Sequence, residues 1–314
     1  MIALSDVERA RDRIAGQIRL TPVMVLGRAR EPFPVAAEVV AKLELHQVTG
    51  SFKARGAMSR LTDLQPDRIA AGIVAASGGN HGVAVAQAAS LVGQAARIYV
   101  PSGVSPAKAA AMRGWGATVT IAGDEFVTAD AAARADVAQT GATYFHPFAD
   151  PQVVAGQGTI GLELLEQAGD FDTLVVAIGG GGLISGLGTV IRALRPGVRI
   201  IGVEPVGSPT LAASLKAGRL VGLDAVTSRV PTMSCHKTDE RIFQIVQGVI
   251  GEILLVEDDD MLAASRWLWR EFGIAADLAG AATTAALRVH PAAFAGSRRI
   301  CTLVCGAGLE GTVL

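Results

Sequence analysis

The sequence predicts an α/β protein of two closely joined lobes, each built on a mostly parallel sheet. Three observations carry this. Half of the 314 residues are hydrophobic, yet 4% are aromatic and 18% charged, a bias toward small aliphatic side chains that suits buried parallel strands. Short aliphatic runs alternate with Ala-rich helical stretches, the pattern of βαβ units. Gly-rich segments stand directly behind three of those runs, at Ser77–Gly82, Gly179–Gly182 and Gly306–Gly308.

Element by element, Ser5 and Glu8 have capping-box spacing and predict a helix from near Asp6. Thr21-Pro22 closes that region. Val35 to Leu45 contains a strand, with Val39, Val40, Leu43 and Leu45 as core candidates, and a helix follows within Gly50 to Leu61. The middle alternates: strand Gly72–Ala76, helix Asn80–Val92, strand Ala96–Val100 closed by Pro101, helix Lys108–Gly114, strand Thr118–Ile121, helix Phe126–Ala138. Asp150-Pro151 marks a boundary. Beyond it come a helix over Thr159–Ala168, the wholly aliphatic strand Leu174–Ile178, a Gly turn and a helix to Leu194. Further strands are predicted at Arg199–Val203, Gly251–Val256 and Thr302–Val304.

Composition excludes several function classes. Lys and Arg total 28 against 29 Asp and Glu, a formal charge of −1, which gives no electrostatic footprint for nucleic acid. Cys235, Cys301 and Cys305 are odd in number and form no CxxC, so a reducing cytoplasm fits better than a disulfide framework. The N-terminus mixes acids and bases and lacks the apolar run of a signal peptide. Ile69–Ala96 and Thr173–Ile191 carry no formal charge, but Ser77–Gly82 interrupts the first and four glycines the second. Neither is a continuous apolar helix, so no membrane span is expected.

Four segments contain candidate chemistry, each with an ordinary alternative. Lys53 stands among small and apolar residues; desolvation would make it a nucleophile or Schiff-base former, whereas a solvated loop lysine does nothing. Ser77, Gly78, Gly79, Asn80 and His81 follow a strand and open a helix, a plausible carboxylate cradle or simply a tight turn. Gly179, Gly180, Gly181, Gly182 and Leu183 expose successive backbone N–H groups at a helix start, where phosphate is the natural ligand. No Lys-Ser or Lys-Thr follows, so this is not a Walker A loop. Cys305 ends a strand and faces a cofactor or is a buried thiol.

Taken together, GSFKARGA, SGGNHG, HPFADPQVVAGQGTIGLE, GGGGLISG, GVEP and CGAG resemble, in order and over nearly the whole chain, the fold type II pyridoxal-phosphate enzymes of the serine/threonine dehydratase and serine racemase family. The resemblance implies a tryptophan synthase β-like fold of two three-layer α/β/α domains with mostly parallel sheets. Residues 1–64 and 152–314 would form a large cofactor-binding domain, and residues 65–151 a small mobile one. It implies that Lys53 holds pyridoxal 5'-phosphate as a Schiff base and later takes the α-proton. Phe52 would pack near the ring, Asn80 would meet the ring hydroxyl, and Gly179 to Leu183 would bind the phosphate. Cys305 would sit by the pyridine nitrogen, and Ser77 to His81 would receive the substrate carboxylate.

The implied activity is a lyase reaction: β-elimination from a serine- or threonine-like amino acid, giving a 2-oxo acid and ammonia. The resemblance also implies a cytoplasmic homodimer that acts on a small amino acid, with no nucleic-acid or membrane partner. Racemases of the family carry Ser where Gly78 stands, and Gly has no group to move a proton on the second face. Cysteine-synthase-type replacement enzymes have Lys-Asp-Arg where Lys53-Ala54-Arg55 stands here. Glu204 matches a cation-site carboxylate, but Thr210 replaces an aspartate, so no metal is assigned. Ser228–His236 and Asp277–Gly280 depart from the family's substrate-side segments and leave other β-hydroxy or β-substituted amino acids open. Arg229 would greet a second carboxylate, as in 3-hydroxyaspartate, unless it is a surface arginine. The chain ends soon after CGAG, which leaves no room for a C-terminal regulatory domain.

Overall fold

The computed structural model describes residues 2–312; the predicted domain ranges begin and end on residues outside them. The chain opens with α1 (Leu4–Ile14), β1 (Val23–Val25) and β2 (Glu38–Lys42). Then come α2 (Lys53–Thr62), α3 (Pro66–Ala70), β3 (Ile73–Ala76), α4 (Asn80–Leu91), β4 (Arg97–Val100), α5 (Pro106–Gly114), β5 (Thr118–Ile121), α6 (Phe126–Thr140) and β6 (Thr143–Tyr144). Next, α7 (Pro151–Gln167) precedes β7 (Thr173–Ala177), α8 (Gly182–Leu194), β8 (Arg199–Pro205) and α9 (Thr210–Ala217). The chain closes with α10 (Glu240–Val249), β9 (Glu252–Val256), α11 (Asp258–Phe272), α12 (Leu278–Val289) and β10 (Arg299–Leu303).

Two sheets result. The larger has the order β1-β2-β10-β7-β8-β9, and the smaller β5-β4-β3-β6. Every pairing is parallel except β1 with β2. All residues of β3 and of β7 are buried, so helices cover both faces of each sheet, as parallel strands require. Each sheet reverses direction once. In the smaller, β4 and β5 extend to one side of β3 and β6 pairs on the other; in the larger, β8 and β9 extend from β7 and β10 pairs opposite. Ligands in open α/β sheets collect at the carboxyl ends of strands beside such reversals.

Several boundaries differ from the sequence reading for identifiable reasons. α1 begins at Leu4 because the Asp6 carboxylate accepts from the Ala3 N–H at 2.7 Å. β1 is not legible in the sequence: a three-residue run beside Thr21-Pro22 gives too little periodicity. α7 begins at Pro151, eight residues before the predicted start, with Asp150 as a cap accepting from Gln152 and Val153. Its Gly156 and Gly158, poor helix formers by propensity, are crossing points. A methyl on Gly156 would lie 2.8 Å from Gly56 Cα in α2 and 2.6 Å from the Arg55 carbonyl oxygen. One on Gly186 in α8 would lie 2.6 Å from the Gly158 nitrogen. α7 therefore touches α2 and α8 backbone to backbone, at a spacing only glycine permits.

The interior divides along the sheets. The larger core surrounds β7, β8 and β10. The smaller surrounds β3 and β4 and takes in Ile14 of α1 with Ala57, Met58 and Leu61 of α2. α2 thus packs into the core of the small sheet, although the sequence reading groups it with the larger domain.

Behind α2 lies a buried ionic cluster. Arg55 is wholly buried; its guanidinium donates to both Glu44 oxygens at 2.8 Å, to Glu163 at 2.5 and 2.8 Å, and to Thr159 Oγ1 at 3.1 Å. Lys42 Nζ donates to Glu163 at 2.5 Å, Gln167 at 2.6 Å and the Thr21 carbonyl at 2.6 Å. Two cations face two carboxylates, so the cluster is neutral and its donors are satisfied, the condition under which charges can be buried. Among the described residues no helix is long and apolar enough to cross a membrane.

Candidate active site

Both sheet reversals open onto one place. The loops after β7 and β10 carry Gly179–Leu183 and Cys305, and the loop after β3 carries Ser77–His81. The contacts joining them close into a ring. Lys53 Nζ donates to the Pro147 carbonyl at 2.7 Å, and the next ring along, Phe148, lies against Gly180. Gly179 backs onto Thr232 and Met233, and Thr232 Cγ2 lies 3.4 Å from where a Cβ on Gly79 would stand. Asn80 Nδ2 lies 3.0 Å from the corresponding point on Gly306. Cys305, next to Gly306, accepts from the Phe52 N–H at 3.2 Å, which returns the path to Lys53. Lys53, Phe52, Asn80, Gly179, Gly180 and Cys305 are on this circuit or directly beside it.

Lys53 opens α2. The preceding backbone turns through two left-handed residues, Thr49 (φ 66°) and Gly50 (φ 77°), before the extended Ser51. That turn is stapled to the strand-end loop: Ser51 bridges Gly306, and Ala307 N–H donates to the Gly50 carbonyl at 2.8 Å. The Lys53 amine lies 5.1 Å from the Phe52 ring centroid. Lys53 is partly buried as a whole residue, but desolvation of its amino group pulls its pKa from 10.5 to about 8. Only the neutral amine attacks a carbonyl. Capture of pyridoxal phosphate by the apoprotein is therefore expected to quicken about tenfold per pH unit below 8 and level off above it, measured by stopped-flow absorbance. A rate independent of pH between 6 and 8 contradicts the assignment of Lys53 as the capturing amine.

The glycine loop is shaped by its neighbours. A Cβ on Gly180 would fall 2.1 Å from the Phe148 ring, and one on Gly182 2.6 Å from the Phe148 carbonyl oxygen. Gly181 has φ 90° and caps α8. Thr238 Oγ1 donates to the Gly180 carbonyl at 2.7 Å. Among the described residues no protein acceptor meets the N–H groups of residues 179–184. A row of unspent donors at the positive end of a 13-residue helix is a built anion cradle. His146 carries no sequence signal of a site role, yet its Nδ1 accepts from the Phe148 and Ala149 N–H groups at 3.3 and 3.0 Å. Its ring meets Phe148 edge-on at 4.6 Å. It sets the ring that limits the loop to glycine.

The Ser77–His81 loop offers a second set of donors. Gly79 N–H is taken by Ser77 Oγ at 3.2 Å, while those of Gly78, Asn80, His81 and Gly82 meet no acceptor among the described residues. His81 is buried and its Nε2 pairs with the Phe145 carbonyl at 2.9 Å. Desolvation, reinforced by the nearby Lys53 charge, pushes its pKa down to about 3, so the ring is neutral near pH 7. Gly78 presents no side chain; a Cβ there would meet Val104 at 3.3 Å and Pro101 at 3.5 Å.

Asn80 is held by Lys108, which sequence reasoning does not single out, and by Asp277, which opens one of the expected substrate-side segments. Its Nδ2 donates to Asp277 Oδ2 at 3.0 Å, and its Oδ1 accepts from Lys108 Nζ. Asp277 caps α12, with Gly280 N–H donating to Oδ1 at 2.6 Å. Desolvation raises its pKa, against the pull of these donors. No motif marks this trio, because Asn80 and Asp277 are 197 residues apart. Cys305 Sγ donates to the Ala279 carbonyl at 3.4 Å, and burial raises its thiol pKa far above neutrality.

Two sequence candidates lie elsewhere. Arg229 is an exposed side chain paired with Asp259, while its N–H donates to Asp258 at 2.7 Å. That exposed pairing fits the surface reading of Arg229. Glu204 is buried and accepts from the Leu211 and Ala212 N–H groups at 2.8 and 2.9 Å, capping α9. Thr210 Oγ1 donates to the Cys235 carbonyl. Among the described residues no group of three His, Cys, Asp or Glu side chains gathers as a metal site.

The family model described as pyridoxal-phosphate dependent enzyme matches residues 14–306. The chain is 35% identical over 306 residues to an L-threonine ammonia-lyase of Geobacter sulfurreducens, covering 98% of this chain and 76% of that one. It is 36% identical over 307 residues to a phenylserine dehydratase of Ralstonia pickettii, covering 98% and 93%. Maize serine racemase superposes with a TM-score of 0.91 at 28% identity, covering 98% and 95%.

Proposed function

The chain belongs to the pyridoxal-phosphate dependent enzymes, in the fold type II serine/threonine dehydratase family, and from that premise we propose that it eliminates water from a β-hydroxy amino acid, the released enamine then taking up water to give a 2-oxo acid and ammonia. The observation that carries this is the pairing of a desolvated lysine with an unspent anion cradle in one ring of loops.

The residues fit the cofactor. Gly179 to Leu183 have free N–H groups for its phosphate, and Phe148 excludes side chains at Gly180 and Gly182. Lys53 has an amine that is partly neutral near pH 7 for its aldehyde. Phe52 would flank the ring, Asn80 has an N–H to spare for the ring hydroxyl, and Cys305 would adjoin the ring nitrogen. When bound, pyridoxal phosphate supplies an electron sink for the charge left at Cα once the α-proton departs.

The protein's own groups do the rest. Lys53 Nζ, with its lowered pKa, accepts the α-proton on one face. The free N–H groups of the Ser77–His81 loop hold the substrate carboxylate and fix which bond faces Lys53. Cys305 stays a neutral thiol, so it does not drive the ring nitrogen to full protonation as a carboxylate would. This would favour prompt loss of the hydroxyl once the α-proton has gone. On the opposite face Gly78 has no atom to return a proton, which favours elimination over racemisation. Residues 65–151 would move as a small domain that closes on substrate, supported by their separate sheet. A homodimer, as the family resemblance implies, completes the reading, in a reducing cytoplasm that three free cysteines suit.

The test is ammonia and 2-oxo acid release from L- and D-serine, L-threonine, both 3-hydroxyaspartates and phenylserine. Release from at least one is expected. Inverted substrate without ammonia would establish a racemase instead, and no turnover of any member by a coloured holoenzyme would overturn the dehydratase reading.

A further inference from the structure

Asn80 sits between two opposite charges. Its oxygen faces the Lys108 ammonium and its nitrogen faces the Asp277 carboxylate, at 3.0 Å. A side-chain amide has two ends of similar shape and opposite polarity. Flipping this one would turn its NH2 toward an ammonium and its carbonyl toward a carboxylate, two repulsive contacts in place of two charge-assisted hydrogen bonds. Asn80 and Asp277 are buried and Lys108 is partly so, which strengthens the preference. Among the described residues no direct ion pair joins Lys108 to Asp277; they act on each other through the amide.

The surroundings are cleared for this arrangement. A Cβ on Gly306 would fall 2.6 Å from Asp277 Oδ2, and one on Gly308 2.7 Å from Asp277 Cβ. The glycines of the Cys305–Gly308 segment thus leave room for Asp277. Lys108 stands on α5 and Asn80 on α4, beside the small sheet; Asp277 caps α12, which packs on the large one. The trio spans both sheets.

We propose that Lys108 is a positioning residue that, with Asp277, locks the Asn80 amide so that its remaining N–H is offered to the cofactor's ring hydroxyl. This rests on the cofactor reading above. Asn80 can donate twice; Asp277 takes one N–H, and the other is left in an orientation both charges enforce. Because Lys108 and Asn80 belong to one sheet and Asp277 to the other, the lock is complete only when the lobes are together.

The experiment compares holoenzymes of wild type, Lys108→Met, Lys108→Arg and Asp277→Asn. It records the visible absorption and emission spectrum, the dissociation constant for pyridoxal phosphate, and kcat and KM. In Lys108→Met the visible band is expected to shift and cofactor affinity to fall about tenfold, the usual worth of one charge-assisted hydrogen bond. The loss of activity should lie in kcat rather than KM. Lys108→Arg should restore the spectrum, and Asp277→Asn should shift it too. A Lys108→Met spectrum and affinity identical to wild type would overturn the proposal, as would a shift that arginine does not reverse. A wild-type protein that acquires no chromophore would overturn the cofactor reading itself, a distinct result.

Discussion

Lys53→Ala is expected to lower ammonia release by about four orders of magnitude on the best substrate, since it removes both the attachment point and the base. The fold should survive. The side chain lies at the first turn of α2, its Nζ bonds one backbone carbonyl, and Ala is a good helix former at that position. Two measurements check this together: turnover under saturating substrate, and intact mass after borohydride reduction. Wild type should gain the reduced cofactor covalently at Lys53, and the variant should not. Residual turnover above ~1% of wild type would mean that another group takes the proton. The neutral His81 would not be that group without a large rise from its value of about 3.

Arg55→Met is expected to produce the largest stability loss of any single change in the buried polar interior, about 3–5 kcal/mol. The reason is the two carboxylates it leaves behind. Glu44 has 0% of its surface exposed and Glu163 is held by Lys42 as well. Removing the guanidinium turns a neutral four-charge cluster into one with an excess negative charge and several unmet acceptors. Urea denaturation followed by circular dichroism measures the cost. The double variant Arg55→Met with Glu44→Gln should recover part of it, since charge balance returns; a simple cavity would not respond in this way. A single variant within about 1 kcal/mol of wild type would show that water reaches the cluster.

The sequence carries the chemistry of the site more plainly than its support. Lys53, Asn80, Gly179–Gly182 and Cys305 each follow a strand or open a helix, and such places are visible as an aliphatic run meeting small residues. Strands behave likewise: β5 is found at its predicted bounds, and β7 within one residue at each end. What is not legible depends on distant partners. Lys108 and Asp277 acquire meaning only when α5 and α12 approach the same amide. His146 matters through a ring that constrains a glycine over thirty residues later. Local propensity counts the entropy cost of the α7 glycines and not the backbone they let in.

Those glycines have a consequence for change in this enzyme. α7 supplies no atom to the reaction, yet it sits between the helix that begins with Lys53 and the helix that begins at the anion cradle. It acts as a gauge: the span between amine and phosphate seat is the thickness of one bare helix. Substrate preference can drift through exposed loop residues such as Thr232 without disturbing that span. A single methyl at Gly156 or Gly158 would reset it for every substrate at once. Mutational tolerance should therefore be lowest along a buried seam remote from the substrate. Grafting these catalytic loops onto another scaffold would need the seam as well.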